Sequence, residues 1–311
     1  MDKIAFIFPG QGAQFVGMGK DFFDLFPSAK HVFQEADEVL SSYFSKLIFD
    51  GPSEELTLTK NSQLAIYIAS IAIWRTVQEQ LPEIQPSVCA GLSLGEYTAL
   101  TAAKKITFDE CLRLVQARGE YMHAASLSNP GTMQVVLGLS PEDVEQALLG
   151  IRDVSIANLN CPGQVVIAGK ETALKEASIP LKEKGAKRVL PLDVSGAFHS
   201  ALMQEAQDNL KPHLDHAILM ESDIAFVSNV LGDYVRTSEE IRACLLKQVT
   251  QPVLWERDIL ATQREGVNIY YEMGPGKTLA GMNKKIGISA PTFSIGKVAD
   301  LEELANAIVK G

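Results

Sequence analysis

Ser87-Val88-Cys89-Ala90-Gly91-Leu92-Ser93-Leu94-Gly95-Glu96-Tyr97-Thr98-Ala99-Leu100 reads as a strand, a tight turn and a helix, with a serine at the apex of the turn. A nucleophile elbow requires this order. The glycines on either side let the strand and the helix approach closely and tolerate a strained turn. The serine oxygen then projects at the amino end of a helix. Unpaired N–H groups and the helix dipole favour an oxyanion at that point. A glycine-bounded turn with a surface serine can share the same five residues. The strand before and the helix after therefore carry the reading.

Working outward, Ile4 to Phe8 is an apolar strand broken by Pro9-Gly10-Gln11-Gly12, and helical patterns follow through Leu40. Asn61 to Leu81 is a long apolar helix. Thr107-Phe108-Asp109-Glu110 has the spacing of a capping box and opens a helix to about Ser126. Alternation of strands and helices implies a parallel sheet covered on both faces. The texture changes near residue 130. Met133–Leu139, Val154–Asn158, Val165–Ala168 and Lys187–Leu192 read as strands, with helices over Pro141–Leu149 and Ala173–Gly185. That is β-α-β-β-α-β, the ferredoxin-like order. The large domain then resumes with a strand at Ile224–Asn229, helices at Glu239–Val249 and Val253–Glu265, and a strand at Val267–Met273. Gly274-Pro275-Gly276 turns the chain into a further helix. The expected architecture is an α/β, hydrolase-like parallel-sheet domain over 1–127 and 196–311, with an inserted ferredoxin-like α+β subdomain over 128–195.

Composition bounds the function. The 311 residues are 46% hydrophobic, enough for one large or two smaller cores. Leu64 to Trp74, the longest apolar segment, is too short to span a bilayer, so no membrane partner is expected. The amino terminus enters a strand without the pattern of a secretory signal. Cys89, Cys111, Cys161 and Cys244 show no metal-ligand spacing and read as reduced core thiols of a cytoplasmic protein. A net charge of −10 argues against nucleic acid as a partner.

A serine nucleophile needs a base. Of the five histidines, His31 lies among polar neighbours, and His123 suits a helix C-terminus. His213 and His216 fall in a polar segment. His199 differs, because Val194-Ser195-Gly196-Ala197-Phe198-His199-Ser200 places it among small residues at the domain junction, where a cleft forms. Asp193 and Asp215 are near it in sequence, but neither stands out as the group that orients the ring. A backbone carbonyl or an amide could do so instead. Arg118 is flanked at helical spacing by Leu114, Val115, Tyr121 and Met122, so it faces inward. A guanidinium there needs an anion: a protein carboxylate, or a substrate carboxylate clamped in bidentate fashion.

Five motifs in order, Phe8-Pro9-Gly10-Gln11-Gly12-Ala13-Gln14, Gly91 to Tyr97, Gly196 to Ser200, Gln248 with Pro252-Val253-Leu254-Trp255, and Met273-Gly274-Pro275-Gly276, resemble the malonyl-CoA:acyl carrier protein transacylase family. The match is collinear over essentially the whole chain. The resemblance implies Ser93 as nucleophile and His199 as base, with the Gln11 and Leu94 N–H groups as the oxyanion hole. It further implies that the Gln248 carbonyl orients His199, that Arg118 binds the malonyl carboxylate, and that Phe198 favours malonyl over methylmalonyl. The implied partners are malonyl-CoA and acyl carrier protein, with no metal and no cofactor. Leu92 departs from the histidine usual before the nucleophile. A trans-acting acyltransferase of polyketide synthesis would share this chemistry. A serine esterase would keep the elbow but not the inward Arg118, and a non-catalytic carrier-docking protein would need none of the set. Carrier proteins are generally acidic. Lys182, Lys184, Lys187 and Arg188, or Lys277, Lys284 and Lys285, are the candidate basic docking patches.

Overall fold

The computed structural model describes residues 2–310. Its strands, in chain order, are β1 (Ile4–Phe8), β2 (Val88–Gly91), β3 (Thr132–Leu137), β4 (Val154–Cys161), β5 (Gln164–Gly169), β6 (Arg188–Pro191), β7 (Ala225–Ser228), β8 (Asp233–Val235), β9 (Ile269–Met273) and β10 (Thr292–Ile295). They form two sheets. The larger has the order β10-β9-β1-β2-β7-β8 and is parallel except for the β7–β8 hairpin. From β1 the chain crosses to β2 on one side and later to β9 on the other. The carboxyl ends of these strands therefore open a crevice, where α/β sheets place their ligands.

The central strands are apolar along their whole length because helices cover both faces. Ala5, Phe6, Ile7 and Phe8 are all fully buried, with Phe6 and Phe8 in one core cluster and Ala5 and Ile7 in the other. The helix Thr59–Gln80 is buried almost all round and packs against the helix Phe108–Ser128. That packing brings Arg118 against Gln63.

The smaller sheet has the order β4-β5-β3-β6, antiparallel throughout, which is the ferredoxin-like arrangement. Its two faces bury different surfaces. Val136, Val165 and Ile167 pack under the helices Pro141–Leu148 and Glu171–Glu183, whereas Met133, Val135, Val166 and Ala168 face the large core. This period-two split explains why Val165-Val166-Ile167-Ala168 has no polar residue.

Several local readings are corrected. The helix expected from Val253 begins at Trp255, because Val253 exchanges backbone hydrogen bonds with Ala157 and Leu159 of β4 at 2.9 and 2.8 Å. Thr107 does not form the expected capping box; its hydroxyl donates to the Asp109 carboxylate at 2.6 Å, a charge-assisted bond that outcompetes the cap. His123 is not at a helix end, since its helix continues to Ser128. Residues Gln204–His216, β8, β10 and the helix Val298–Lys310 were not read from sequence. None of the described helices is long and apolar enough to cross a membrane.

Candidate active site

Ser93 stands at the carboxyl end of β2 with φ +53°, in the left-handed region. For a residue with a β-carbon that conformation costs roughly 1–3 kcal/mol. The turn closes because both flanking residues lack one. A Cβ on Gly91 would lie 2.0 Å from the Gly95 carbonyl carbon and oxygen, and a Cβ on Gly95 would lie 2.2 Å from the Phe8 carbonyl oxygen. The two glycines thus let the helix Gly95–Ala102 start directly against the β1–β2 pair. Ser93 Oγ then faces the crevice.

His199 also has a positive φ, +56°, and is only 4% exposed. Its Nε2 lies 2.9 Å from Ser93 Oγ. Its Nδ1 lies 2.6 Å from the Gln248 carbonyl oxygen and donates to it, which leaves Nε2 with the lone pair. Burial holds the imidazole pKa down to about 4, and the positive charge of Arg118 adds to the effect. The ring is therefore neutral at physiological pH. Asp193 is exposed, and Asp215 pairs with Lys211 at 2.5 Å, so neither approaches His199.

Arg118 is 1% exposed and forms no salt bridge among the described residues. Its Nη1 donates to Gln63 Oε1. Its Nη2 donates to Gln248 Oε1 at 2.8 Å and to Ser93 Oγ at 3.1 Å. The guanidinium carbon sits 5.5 Å from the Tyr97 ring centre. The buried cation is held by two neutral amides and stands beside the serine oxygen. Of the two anions weighed for Arg118, no protein carboxylate touches it.

The space in front of Ser93 is a cavity of about 310 Å³. The ends of β1 and β2 line one side with Gln11 and Ser93, joined by Phe198 and His199 from the segment after β6; the small sheet lines the other with Met133, Val135, Asn158, Asn160 and Val166. Gln11 follows β1 as Ser93 follows β2. The backbone N–H groups of Gln11 and Leu94 have no acceptor among the described residues, whereas that of Ser93 is taken by Asn229 Oδ1 at 2.7 Å. Phe198 is 5% exposed and lies on the cavity wall beside the base. Leu92 is partly buried and also touches the cavity. Of the residues singled out from the sequence, Gln11, Ser93, Phe198 and His199 line this space, Leu94 follows Ser93 in the turn, and Arg118 and Gln248 hydrogen-bond to Ser93 and His199.

Sequence reasoning missed Gln63, Glu96, Asn229 and Asp258, which stand behind Ser93. One signal was available for Asn229: it directly ends a strand, β7, that pairs with β2. Among the described residues no cluster of three or more His, Cys, Asp or Glu side chains could hold a metal ion.

The profile of the acyl transferase domain family matches residues 5–281. A malonyl CoA-acyl carrier protein transacylase of Bacillus subtilis is 42% identical over 306 residues, covering 97% of this chain and 96% of its own. The crystal structure of malonyl CoA-acyl carrier protein transacylase from Clostridium perfringens superposes with a TM-score of 0.94 at 35% identity, covering 99% and 98% of the two chains. A structure of a holo type II PKS acyl-carrier protein in complex with its malonyl-transacylase matches with a TM-score of 0.92 at 39% identity, covering 96% and 98%.

Proposed function

This chain belongs to the malonyl-CoA:acyl carrier protein transacylase family of acyl transferases, and from that membership we propose that it moves malonyl from malonyl-CoA to the pantetheine thiol of an acyl carrier protein, in fatty acid synthesis, through an ester on Ser93. The observation that carries the reading is the pair of contacts on one oxygen. His199 Nε2 is 2.9 Å and Arg118 Nη2 is 3.1 Å from Ser93 Oγ.

His199 Nε2 takes the Ser93 proton as Oγ attacks the thioester carbonyl carbon. The oxyanion is stabilised by the Gln11 and Leu94 N–H groups, which have no other acceptor. Collapse breaks the C–S bond, and His199 returns the proton to the departing thiol. The carrier thiol then loses its proton to His199 and attacks the ester, and Ser93 leaves with that proton. Arg118 binds the malonyl carboxylate and so holds the thioester carbon over Oγ. The Gln248 carbonyl fixes the tautomer of the base, and Phe198 bounds the space around the malonyl α-carbon. We assign this machinery to a large domain, 1–127 and 196–311, with the subdomain 128–195 closing the cavity.

Intact-mass spectrometry after mixing with malonyl-CoA tests the reading. A single malonyl adduct is expected, stable until a carrier is added and mapping to Ser93, with none in Ser93→Ala. Rapid release of malonate without a carrier would mean a hydrolase. A label on another residue would overturn the mechanism.

A further inference from the structure

Behind Ser93 lies a buried polar cluster whose side chains take no direct part in the reaction. Asn229, Glu96, Gln248 and Asp258 are each 0% exposed. Asn229 sits at their centre. Its Oδ1 accepts the Ser93 N–H at 2.7 Å. Its Nδ2 donates to the Gly91 carbonyl at 2.8 Å and to Asp258 Oδ2 at 2.7 Å. Its own N–H donates to Glu96 Oε1 at 2.8 Å, and its carbonyl accepts from Leu254 N–H at 2.8 Å. Each hydrogen-bonding group of the residue is engaged.

Gly91 ends the strand before the turn, and Ser93 is its strained residue. One amide side chain grips the carbonyl of the first and the N–H of the second. Gln248 adds a bond to the Ser93 carbonyl at 2.9 Å and reaches Glu96 with the same nitrogen.

We propose that Asn229 is a positioning residue for the nucleophile, clamping the Gly91–Ser93 turn in its left-handed form, and that Asp258 fixes the orientation of the Asn229 amide. This rests on the reading of Ser93 as the acylated residue. The physical argument is one of orientation. An asparagine amide can turn over and present either end. With Asp258 and the Gly91 carbonyl both accepting from Nδ2, only Oδ1 is left for Ser93. The clamp also occupies the Ser93 N–H, so the free donors facing a reacting carbonyl are those of Leu94 and Gln11. Burial pushes the carboxyls of Glu96, to about 7, and of Asp258 upward. This lessens the negative charge beneath a site that must stabilise an oxyanion.

The test is single-turnover acylation of the full chain by malonyl-CoA, with folding checked by circular dichroism. Misplacement of a reacting group by about 1 Å costs on the order of a hundredfold. Asn229→Ala should therefore slow acylation about a hundredfold, with half-saturation by malonyl-CoA nearly unchanged because the cavity wall is intact. Asp258→Asn keeps an oxygen acceptor for Asn229 Nδ2 and should stay near wild type, whereas Asp258→Leu should fall. Asn229→Asp sets an oxygen in place of Nδ2 against the Asp258 carboxyl and the Gly91 carbonyl and should lose activity. Asn229→Asp combined with Asp258→Asn restores one donor–acceptor pair and should recover part of the loss. A folded Asn229→Ala with wild-type acylation overturns the proposal. So does equal loss in Asp258→Asn and Asp258→Leu, which remains readable if Asn229→Ala does not fold. If wild type takes no label at all, it is the functional reading that fails, not this one.

Discussion

One wall of the cavity is built by the carboxyl ends of β1 and β2, which carry Gln11 and Ser93, and by the segment after β6, which brings in His199, with Arg118 immediately behind. The facing wall comes from β3, β4 and β5 and carries Met133, Val135, Val166, Asn158 and Asn160. The first wall is held from behind by hydrogen bonds, with two non-glycine residues at positive φ. The second is a pleated, largely apolar surface with three amides, Asn158, Asn160 and Gln164, and no charged group. The difference assigns rate to the large sheet and shape to the small one. Changes to the first wall should slow acylation by orders of magnitude, and changes toward the rim should shift selectivity or affinity.

The largest effect follows from His199. General-base removal costs about two to four orders of magnitude. His199→Ala should slow Ser93 acylation by roughly a thousandfold in single-turnover experiments, with malonyl-CoA still bound. Wild-type acylation should show its acid limb near pH 4, where the buried ring titrates, and not near 6.5. The sign is set by the depressed pKa. The neutral ring persists as pH falls and loses its base function only below that value. By the same linkage, the unfolded chain takes up this proton first between about 6.5 and 4, so the contribution of His199 to stability falls as pH falls through that window. An acid limb at 6.5 would place the working imidazole in water and break the contrast between a sealed wall and an open one.

Arg118 comes next. No protein carboxylate touches it, so on the proposed reading its loss removes the partner of the malonyl carboxylate and not a structural ion pair. Leaving a buried charge unpaired costs roughly 3–5 kcal/mol. Arg118→Ala should reduce kcat/KM for malonyl-CoA by about a hundredfold or more. Acetyl transfer, which offers no carboxylate, should change little. The His199 acid limb, measured with acetyl-CoA, should also move up once the neighbouring positive charge is gone. Equal losses on both substrates would make Arg118 a scaffold residue.

Much of this first wall was legible in the sequence, because tight turns leave marks. Glycine at 91 and 95 is a signature of close approach, and a lone arginine on an apolar helix face is an anomaly that must be explained. His199 stood out through the small residues around it. The ring-orienting group could not be read so directly, because a backbone carbonyl has no sequence signature; it was named only through resemblance to a family. The supports of Ser93 were missed for a related reason. Glu96 follows the nucleophile closely but reads as an ordinary charge in the first turn of a helix. Asn229 and Asp258 lie 136 and 165 residues beyond Ser93, and only the adjacency of β7 to β2 brings them beneath it. In the small sheet β5 was legible as an apolar run bounded by turns, because both of its faces are buried, whereas β8 and β10 of the large sheet are short edge strands that leave too few residues to show a period.

Phe198 tests the boundary between the walls. It stands on the large domain beside the base but contributes only surface to the cavity. Replacing it with serine should raise the methylmalonyl-to-malonyl ratio of kcat/KM by about tenfold, which is within the roughly 1–3 kcal/mol available from one methyl group in an apolar pocket. Parallel measurements with both thioesters check this. An unchanged ratio in a folded variant moves selectivity to the small-sheet wall, and Val135 and Val166 become the residues to vary.

The smallest expected effect concerns the rim, where a carrier must dock for its pantetheine arm to enter. The chain is acidic overall, at −10, so an acidic carrier has to be received by a local patch of the opposite sign. Two basic sets compete. Lys182, Lys184, Lys187 and Arg188 belong to the end of one small-domain helix and the outer strand β6, with Lys184 tied to Gln146 at 2.6 Å. Lys277 precedes the helix Thr278–Ile286 and Lys284 and Lys285 lie in its last turn; Thr278, Leu279 and Met282 of this helix line the cavity itself. Lys285 Nζ reaches Gln164 Oε1 at 3.3 Å, and Gln164 also lines the cavity. This second set therefore stands at the seam of the two walls, and Lys284 has no carboxylate partner among the described residues. Lys277 is paired with Asp300 at 3.1 Å, so less of its charge is free for a partner. Exposed charges steer encounter more than they hold a complex, so the effect is modest and salt-dependent. Lys284→Glu with Lys285→Glu should raise the KM for the carrier severalfold at low salt, leave the KM for malonyl-CoA and the Ser93 acylation rate unchanged, and lose most of its effect at high salt. Reversal of Lys182 and Arg188 should do less. If the ranking is inverted, the carrier approaches over the small sheet, and the shape-giving wall is also the docking face.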